Sequence, residues 1–356
     1  MSNSNSNSLI DQCFLSPSNL ISDATSLLEQ KHLEIVLVVD KEKKLLGTVT
    51  DGDIRNAMRL HLRMNTKLEY IMRKTPITIT DETPNTFALK QMQKYRIRAI
   101  PVLNDKKQVI NLKRIQDITV YTKKENIVII MAGGLGSRLG ELTKDCPKAM
   151  LKVGNKPMLE HIIERFKEQG FYRFIISVNY LSDQIKTYFG HGENHDIQID
   201  YIEEKKRMGT AGAISLLNQF PNEPVIVTNG DIITDISYDY LLDSHKLYNA
   251  VATMAIREYD VQIPFGVVSL KEENIISLDE KPVHKIFVNA GIYVLEKTAL
   301  EFIPKDQFFD MTDLFDTLIK SHHKVSSFPI HEYWTDIGLI DQYERAYRQF
   351  DRHESK

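Results

Sequence analysis

The hydrophobic pattern between Ile10 and about Thr122 occurs twice. Shifting the sequence by 64 residues, without a gap, lays Ala24 on Ala88, Val38 on Val102, Lys43 on Lys107 and Asp53-Ile54 on Asp117-Ile118. Self-similarity at a fixed step marks a repeated structural unit. Each copy predicts a helix (Ala24 to Lys31; Phe87 to Tyr95), a strand (Ile35 to Val39; Ala99 to Leu103), a charged turn, a second strand (Leu45 to Thr50; Gln108 to Lys113) and a short helix. Neither copy is expected to bury a core alone.

From Ile127 onward the pattern changes to alternating strands and helices. The apolar, β-branched run Ile127 to Met131 predicts a buried parallel strand. An amphipathic helix follows over Met158 to Gln169, ended by Gly170, then a strand over Phe174 to Val178 and a short helix over Ser182 to Phe189. Next come a strand (Ile197 to Ile202), a helix (Thr210 to Asn218), a strand (Val225 to Thr228), a helix (Tyr238 to Tyr248) and a strand (Val251 to Arg257). This succession predicts an α/β fold with a largely parallel, doubly wound sheet, whose ligands bind at the carboxyl ends of the strands.

The polar segment Tyr121-Thr-Lys-Lys-Glu-Asn126 separates the two patterns. We therefore expect a disordered tail over 1–8, a repeat pair over 9–122 with copies of about 9–64 and 65–122, and an α/β domain over 123–356. A length of 356 residues with 42% apolar content supports real cores, and a net charge of −3 spread along the chain argues against a nucleic-acid or membrane surface. No apolar run reaches the roughly 18 residues of a membrane span, and Met-Ser-Asn-Ser-Asn-Ser-Asn-Ser lacks the basic and apolar regions of a signal peptide, so a cytoplasmic location is expected. Two cysteines, Cys13 and Cys146, make neither a disulfide framework nor a zinc site. Cys146 reads as structural or as an oxidisable thiol. His322-His323 reads as a solvated helix end or a chelating pair.

The chemistry concentrates after the Ile127 strand, in Ala132-Gly-Gly-Leu-Gly-Ser-Arg-Leu-Gly140 and Thr143-Lys-Asp-Cys-Pro-Lys148. Glycines let backbone approach a ligand closely, N–H groups of such a loop form an anion nest, and Arg138, Lys144 and Lys148 add positive charge. A dinucleotide fingerprint fails at Leu139, and the Gly-Lys of a Walker loop occurs nowhere. The stretch resembles the Gly-Gly-x-Gly-[Ser/Thr]-Arg-Leu…Thr…Pro-Lys signature of the sugar-1-phosphate nucleotidyltransferases, departing from it at Glu141, where the family often has Pro. The resemblance implies that Ala132, Gly133, Gly134, Gly136 and Ser137 hold the nucleotide and that Arg138 and Lys148 are the catalytic cations.

Further segments match in order. Asp231, after Asn229-Gly230, and Asp336, in Tyr333-Trp-Thr-Asp-Ile-Gly338, are by resemblance the ligands of Mg²⁺. Read without it, Asp231 starts a turn and Asp336 caps a helix. Asp279-Glu280-Lys281-Pro282 resembles the family's Glu-Lys-Pro segment and implies sugar-phosphate contacts from Gly266, Glu280, Lys281 and Asn289. Glu203 and Glu204 with Gly209, Thr210, Ala211 and Gly212 form either a nucleoside pocket, in which a carboxylate or carbonyl accepts from a guanine amino group, or helix-entry packing, and Lys156 is a weaker phosphate contact.

The repeat half carries Gly47-Thr-Val-Thr50-Asp-Gly-Asp53 and resembles a tandem pair of cystathionine β-synthase (CBS) motifs. The resemblance implies a regulatory nucleotide held by Thr50 and Asp53; a purely structural or dimerising pair is the equal alternative. The second copy has Asn111 and Arg114 in place of the Gly and Thr, with Asp117 retained. A CBS pair before the transferase resembles guanylyltransferases of nonulosonic (legionaminic-type) sugar synthesis and, more broadly, mannose- and heptose-1-phosphate guanylyltransferases. This implies a Rossmann-like, GT-A-like mixed-sheet domain after a CBS α+β domain. It also implies a homo-oligomer that transfers a nucleotidyl group from GTP to glucosamine, mannose or heptose 1-phosphate. Uridylyl, cytidylyl or thymidylyl transfer, and a nucleotide sensor without turnover, remain open alternatives.

Overall fold

The computed structural model describes residue 10 and residues 12–31, 33–118, 123–134 and 136–354. The chain divides into two compact units, Met1–Lys124 and Glu125–Lys356. The tail expected over 1–8 lies outside the described residues, as do Tyr121 and Thr122 of the polar joint.

In the first unit, strand β1 (Phe14–Leu15), helix α1 (Ile21–Lys31), strands β2 (Ile35–Val39) and β3 (Leu45–Thr50) and helix α2 (Asp51–Arg59) form the first copy. Helix α3 (Asn85–Tyr95), strands β4 (Ala99–Leu103) and β5 (Val109–Arg114) and helix α4 (Ile115–Ile118) form the second. The duplication reaches into backbone detail. Both β2–β3 and β4–β5 are antiparallel with a register shift at the repeated positions Val38/Val39 and Val102/Leu103. Both turns place a lysine, Lys43 and Lys107, at a left-handed φ of 61°. The copies share one interior: Ala99, Val109 and Leu112 pack with Ile35 to Val39, Ile54 and Leu68. The second copy also has a cluster of its own, Ile79, Ala88, Met92, Ile100 and Val102.

The second unit opens with strand β6 (Lys124–Met131), the short strands β7 (Lys152–Val153) and β8 (Lys156–Pro157), helix α5 (Met158–Glu168) and strand β9 (Phe171–Val178). Helix α6 (Ser182–Phe189), strand β10 (Gln198–Glu203), the single turn α7 (Gly209–Gly212) and strands β11 (Val225–Asn229) and β12 (Ile232–Thr234) follow. Helix α8 (Tyr238–Tyr248) leads to the long strand β13 (Ala252–Gln262), the hairpin β14 (Gly266–Lys271) and β15 (Asn274–Glu280), and strand β16 (Val283–Leu295). The unit ends with helices α9 (Lys297–Leu300) and α10 (Met311–Lys320), strands β17 (Val325–Ile330) and β18 (Trp334–Asp336) and helix α11 (Ile340–Glu354).

Seven of these strands form one sheet in the order β10-β9-β6-β11-β16-β13-β17. It is mixed: β16 runs antiparallel to β11 and to β13, while β6–β11, β9–β10 and β13–β17 are parallel. Successive side chains of a strand face opposite ways, and this sheet uses both faces. Val128, Ile130, Ile176, Ile226 and Val294 join one core with Leu159, Ile163 and Phe166 of α5 and Leu241 of α8. Ile129, Ile175, Val227 and Tyr293 join the other, with Ala211, Ile214, Leu300 and Leu314. The sheet is thus covered twice, as the continuous apolar strands require.

One predicted element changes. The helix expected over Thr210 to Asn218 is the α7 turn followed by a 3₁₀ turn, Ala213–Leu216. Two glycines in four residues favour a helix poorly, and Ser215 Oγ donates to Gly212 O at 2.7 Å, so the segment does not propagate. No helix among the described residues is long and apolar enough to cross a membrane.

Candidate active site

Strands β6 and β11 are adjacent and parallel, with Asn229 opposite Met131, so both chains leave the sheet at the same edge. The two backbones then run in close contact. Gly230 N donates to Met131 O at 2.9 Å, and a Cβ on Gly230 would lie 3.1 Å from that oxygen. The glycine loop therefore starts beside Asp231.

Within the loop, Gly134 has open space around it, whereas Gly136 is needed twice. Its φ of 67° is left-handed, and a Cβ there would lie 2.7 Å from Thr143 Cγ2. Thr143 locks the loop, because its hydroxyl reaches Gly136 O at 3.0 Å and Gly140 O at 3.2 Å. Ser137 and Arg138 are exposed. Ala132 is buried, and its N–H is already bonded to Ser177 O at 2.9 Å, so it anchors the loop and offers no donor. Glu141 is 91% exposed and lies 3.8 Å from Lys144. Cys146 packs with Leu139, Leu151 and Val153, where burial pushes its thiol pKa up, the opposite of activation.

Lys148 follows Pro147 on a 3₁₀ turn, and its Nζ donates to Asp231 Oδ2. Strand β12 pairs antiparallel with β18, setting Ile232 opposite Asp336 and bringing Ile337 N to Asp231 O at 3.0 Å. The two aspartates are thereby neighbours. Each has an Oδ1 that is buried and without a hydrogen-bond partner. The Asp336 carboxyl is raised above the ordinary carboxylate value, first by burial and next by the charge of Asp231, with Lys148 and Arg138 offsetting part of it. Asp336 ends a strand and caps no helix; Gln342 Oε1 takes the N–H groups of Gly338 and Leu339, each at 2.9 Å. Two buried, unsatisfied carboxylate oxygens are the hard donors a divalent cation such as Mg²⁺ takes, so the residues present fit the metal.

The other expected residues fall into groups. Glu203 and Glu204 leave β10 on opposite sides. Glu203 pairs with Lys186 and is 67% exposed. Glu204 turns inward: Ser177 Oγ donates to its Oε1 at 2.7 Å and Met208 N to its Oε2 at 3.2 Å. A Cβ on Gly133 would lie 2.4 Å from Glu204 Oε1, so it is Glu204 that the fold brings to the glycine loop. Gly209 and Gly212 press against the 307–310 backbone, where a Cβ would lie 2.6 Å from Phe309 O and 2.4 Å from Gln307 O respectively. Thr210 gives its N–H, at 2.9 Å, and its hydroxyl, at 3.1 Å, to Asp310 Oδ1, and Ala211 is buried beside them. These contacts fix the turn against the 307–310 segment.

Gly266 and Glu280 are paired across the β14–β15 hairpin, a Cβ on Gly266 being 3.0 Å from Glu280 Oε2. Lys281 follows at a φ of 48° and is exposed. Asn289 spends its amide within its own strand, donating to Tyr293 OH at 2.8 Å and accepting from Gly291 N at 2.9 Å. Among the described residues no hydrogen bond or ion pair joins Glu280, Lys281 or Asn289 to the aspartates or the glycine loop. Lys156 is paired with Glu164 at 2.6 Å, and His323 packs edge-on against Phe302 at 5.0 Å.

In the first unit Thr50 and Asp53 hold each other: Asp53 Oδ2 accepts from Thr50 N at 2.8 Å and Thr50 Oγ1 at 2.7 Å, capping α2. Burial raises the Asp53 carboxyl despite these bonds. At the repeat-related positions Arg114 forks onto both oxygens of Asp117, at 2.9 and 2.8 Å. Thr143 and Ser177 were missed as site residues, although Thr143 stood in the signature; of the expected pair Glu203-Glu204, Glu204 is the one that reaches the glycine loop.

The sequence matches the nucleotidyl transferase family over residues 127–352 and the CBS domain over 11–60 and 68–112. It is similar to a D-glycero-alpha-D-manno-heptose 1-phosphate guanylyltransferase of Aneurinibacillus thermoaerophilus, 30% identical over 227 residues that cover 63% of this chain and 98% of that enzyme. The enzyme of the same name from Campylobacter jejuni is 34% identical over 217 residues, covering 60% and 96%. Among solved structures, HddC from Yersinia pseudotuberculosis complexed with GMP-PN superposes with a TM-score of 0.50 at 28% identity, over 63% of this chain and 99% of that one.

Proposed function

Since the chain belongs to the nucleotidyl transferase family, we propose that it transfers a nucleotidyl group from a nucleoside triphosphate, GTP by preference, to a sugar 1-phosphate. The products are a nucleoside-diphosphate sugar and pyrophosphate. The observation that carries this reading is the cluster of Lys148, Asp231 and Asp336 beside the glycine loop at the carboxyl edge of β6 and β11. An oxygen of the sugar phosphate forms a bond to the α-phosphorus, the bond from that phosphorus to the bridging oxygen breaks, and pyrophosphate leaves with the electron pair. The nucleophile is already an anion, so the protein supplies no base; it positions two anions and stabilises the charge on the leaving group.

Gly133, Gly134 and Gly136 let the loop approach the phosphates, and Arg138 and Lys148 offset their charge. Asp231 and Asp336 would hold Mg²⁺, which when bound neutralises phosphate oxygens. The exposed Lys281 and Glu280 on the hairpin are the groups left to meet the sugar phosphate and its hydroxyls. Glucosamine, mannose and heptose 1-phosphates are the acceptors to try, for surface-glycan or nonulosonic acid synthesis. On this reading the enzyme acts in the cytoplasm as a homo-oligomer, its size to be measured by light scattering, and its CBS pair holds a regulatory nucleotide at Thr50 and Asp53.

Pyrophosphate release from four nucleoside triphosphates against these sugar 1-phosphates tests the reaction. Release with GTP and at least one sugar supports it. Nucleotide binding with no release from any pair would replace it with a sensor.

A further inference from the structure

We infer that Tyr180 and Gln184 are positioning residues for Lys148: together they clamp the outer backbone of the signature loop and so hold the lysine in its place. The inference rests on the nucleotidyl-transfer reading and adds to it two residues that lie outside the signature. Tyr180 OH donates to Lys144 O at 3.0 Å, and Gln184 Nε2 donates to Asp145 O at 2.9 Å. Two consecutive carbonyls of the loop are thus held by two side chains of one neighbouring segment.

The clamp is set by the way the chain leaves β9. That strand is adjacent to β6, and Ala132 N donates to Ser177 O at 2.9 Å, so the segment after β9 stands beside the segment after β6. Leu181 then takes a left-handed φ of 55°, which an L side chain rarely adopts, and turns the chain into α6; its carbonyl accepts from Gln184 N at 3.1 Å. The turn leaves Tyr180 just ahead of α6 and Gln184 in its first turn. Backbone of this kind persists only where the surrounding structure holds it, and it gathers at functional sites.

On the loop side, nothing else makes these bonds. Among the described residues, Tyr180 and Gln184 are the only ones beyond position 151 that hydrogen-bond to residues 133–147; the loop's remaining bonds stay within 133–151. Lys144 and Asp145 are exposed, which leaves the two side chains to hold their backbone. The chain then runs through Cys146 and the buried Pro147 to Lys148, whose Nζ donates to Asp231. The proline ring fixes φ, so a shift of the 144–145 backbone is passed on to Lys148 and not absorbed by rotation at Pro147.

Both clamp bonds lie at exposed positions, where exchange with water leaves a hydrogen bond little net effect on stability. Their effect is on geometry. A cation that offsets charge on a leaving group acts through where it stands, and a displacement of about 1 Å can cost about 10²-fold in rate.

The test removes both donors while keeping side-chain size, in Tyr180→Phe/Gln184→Met, and reads kcat, KM, melting temperature and calorimetric affinity for inorganic pyrophosphate. The expected result is a roughly tenfold fall in kcat and a roughly fivefold fall in pyrophosphate affinity, with KM for the sugar 1-phosphate within about twofold and the melting temperature within about 3 °C of the wild type. Placed in Lys148→Ala, the same two changes should lower kcat and pyrophosphate affinity no further, because the clamp acts through that lysine; a merely structural role would lower both in either background. A folded double variant whose kcat and pyrophosphate affinity stay within about twofold of the wild type overturns the inference, as does an equal loss with and without Lys148. If the double variant does not fold, Gln184→Met alone carries the same comparison, and an unchanged kcat there counts against the clamp. A wild type that binds pyrophosphate but releases none from any pair of nucleoside triphosphate and sugar 1-phosphate would overturn the transfer reading, while pyrophosphate affinity in the same four proteins would still decide the clamp.

Discussion

Lys148 and Asp231, 83 positions apart in sequence, form a direct ion pair at the carboxyl edge of the sheet. The lysine side chain is 12% exposed and the aspartate 21%, and Asp336 stands beside them with its own buried charge. Lys148 therefore compensates two carboxylates as well as facing the glycine loop. Lys148→Ala is expected to lower kcat by about 10²-fold or more, as removal of a preorganised charge-stabilising donor does. It should also destabilise the metal-free protein by about 2 kcal/mol, less than a fully buried pair because water reaches the site. Steady-state kinetics and thermal melts check both; a folded variant with normal turnover would remove Lys148 from the mechanism.

The orphaned Oδ1 atoms of Asp231 and Asp336 make a prediction about metal. Mg²⁺ should raise the melting temperature of the wild type, since a ligand bound only by the native state stabilises it. In Asp336→Asn that rise should be lost, while the metal-free melting temperature stays level or increases because the like-charge repulsion is gone. An unchanged Mg²⁺ response in the variant would place the cation elsewhere.

Gly133→Ala introduces a methyl group 2.4 Å from Glu204 Oε1. The carboxylate cannot swing aside without giving up Ser177 and Met208, so we expect a loss of about 1–3 kcal/mol, the usual range for overpacking. Nucleotide affinity should fall as well, as calorimetry would report. A neutral effect on both would mean that the carboxylate is not held there.

A pH effect arises away from the site, at His245. Its ring is buried, with Nδ1 2.8 Å from Thr253 Oγ1 and Nε2 3.1 Å from Glu296 Oε1. Burial lowers its pKa below the ordinary 6.5 and Lys246 adds to that, while Glu296 pulls the other way. The unfolded chain then binds a proton more readily than the folded one, so this contribution is fully present above about pH 6.5 and is lost as pH falls toward the folded value. Melting temperatures between pH 7.5 and 5.5 should decline, and His245→Gln should flatten the decline. Equal slopes in the two proteins would refute the assignment.

In the repeat unit, Asp53→Ala removes the acceptor of two Thr50 bonds and should cost about 1 kcal/mol as a lost helix cap. Calorimetry of the full chain with AMP, GMP, ATP and GTP tells whether the residue does more. Binding that Asp53→Ala abolishes supports a regulatory nucleotide there, and no heat from any of the four leaves Asp53 a cap.

What the sequence determined by itself is local or periodic. The 64-residue step, the strands at Ile35, Leu45 and Ala99, and the turn lysines at Lys43 and Lys107 all follow from hydrophobic spacing, because a repeat carries its backbone conformation with it. The glycine loop was legible too, since at Gly136 a left-handed φ, which favours glycine, coincides with a contact that leaves little room for a side chain. Tertiary structure decided what depends on pairing between distant segments. Asp231 and Asp336 meet only because β12 takes one register against β18. Gly209 and Gly212 are explained by the 307–310 loop, some hundred residues away, which presses on them. The choice between Glu203 and Glu204 is one of parity: adjacent strand residues face opposite ways, and which of them faces the site depends on how β10 lies against β9 beside Gly133.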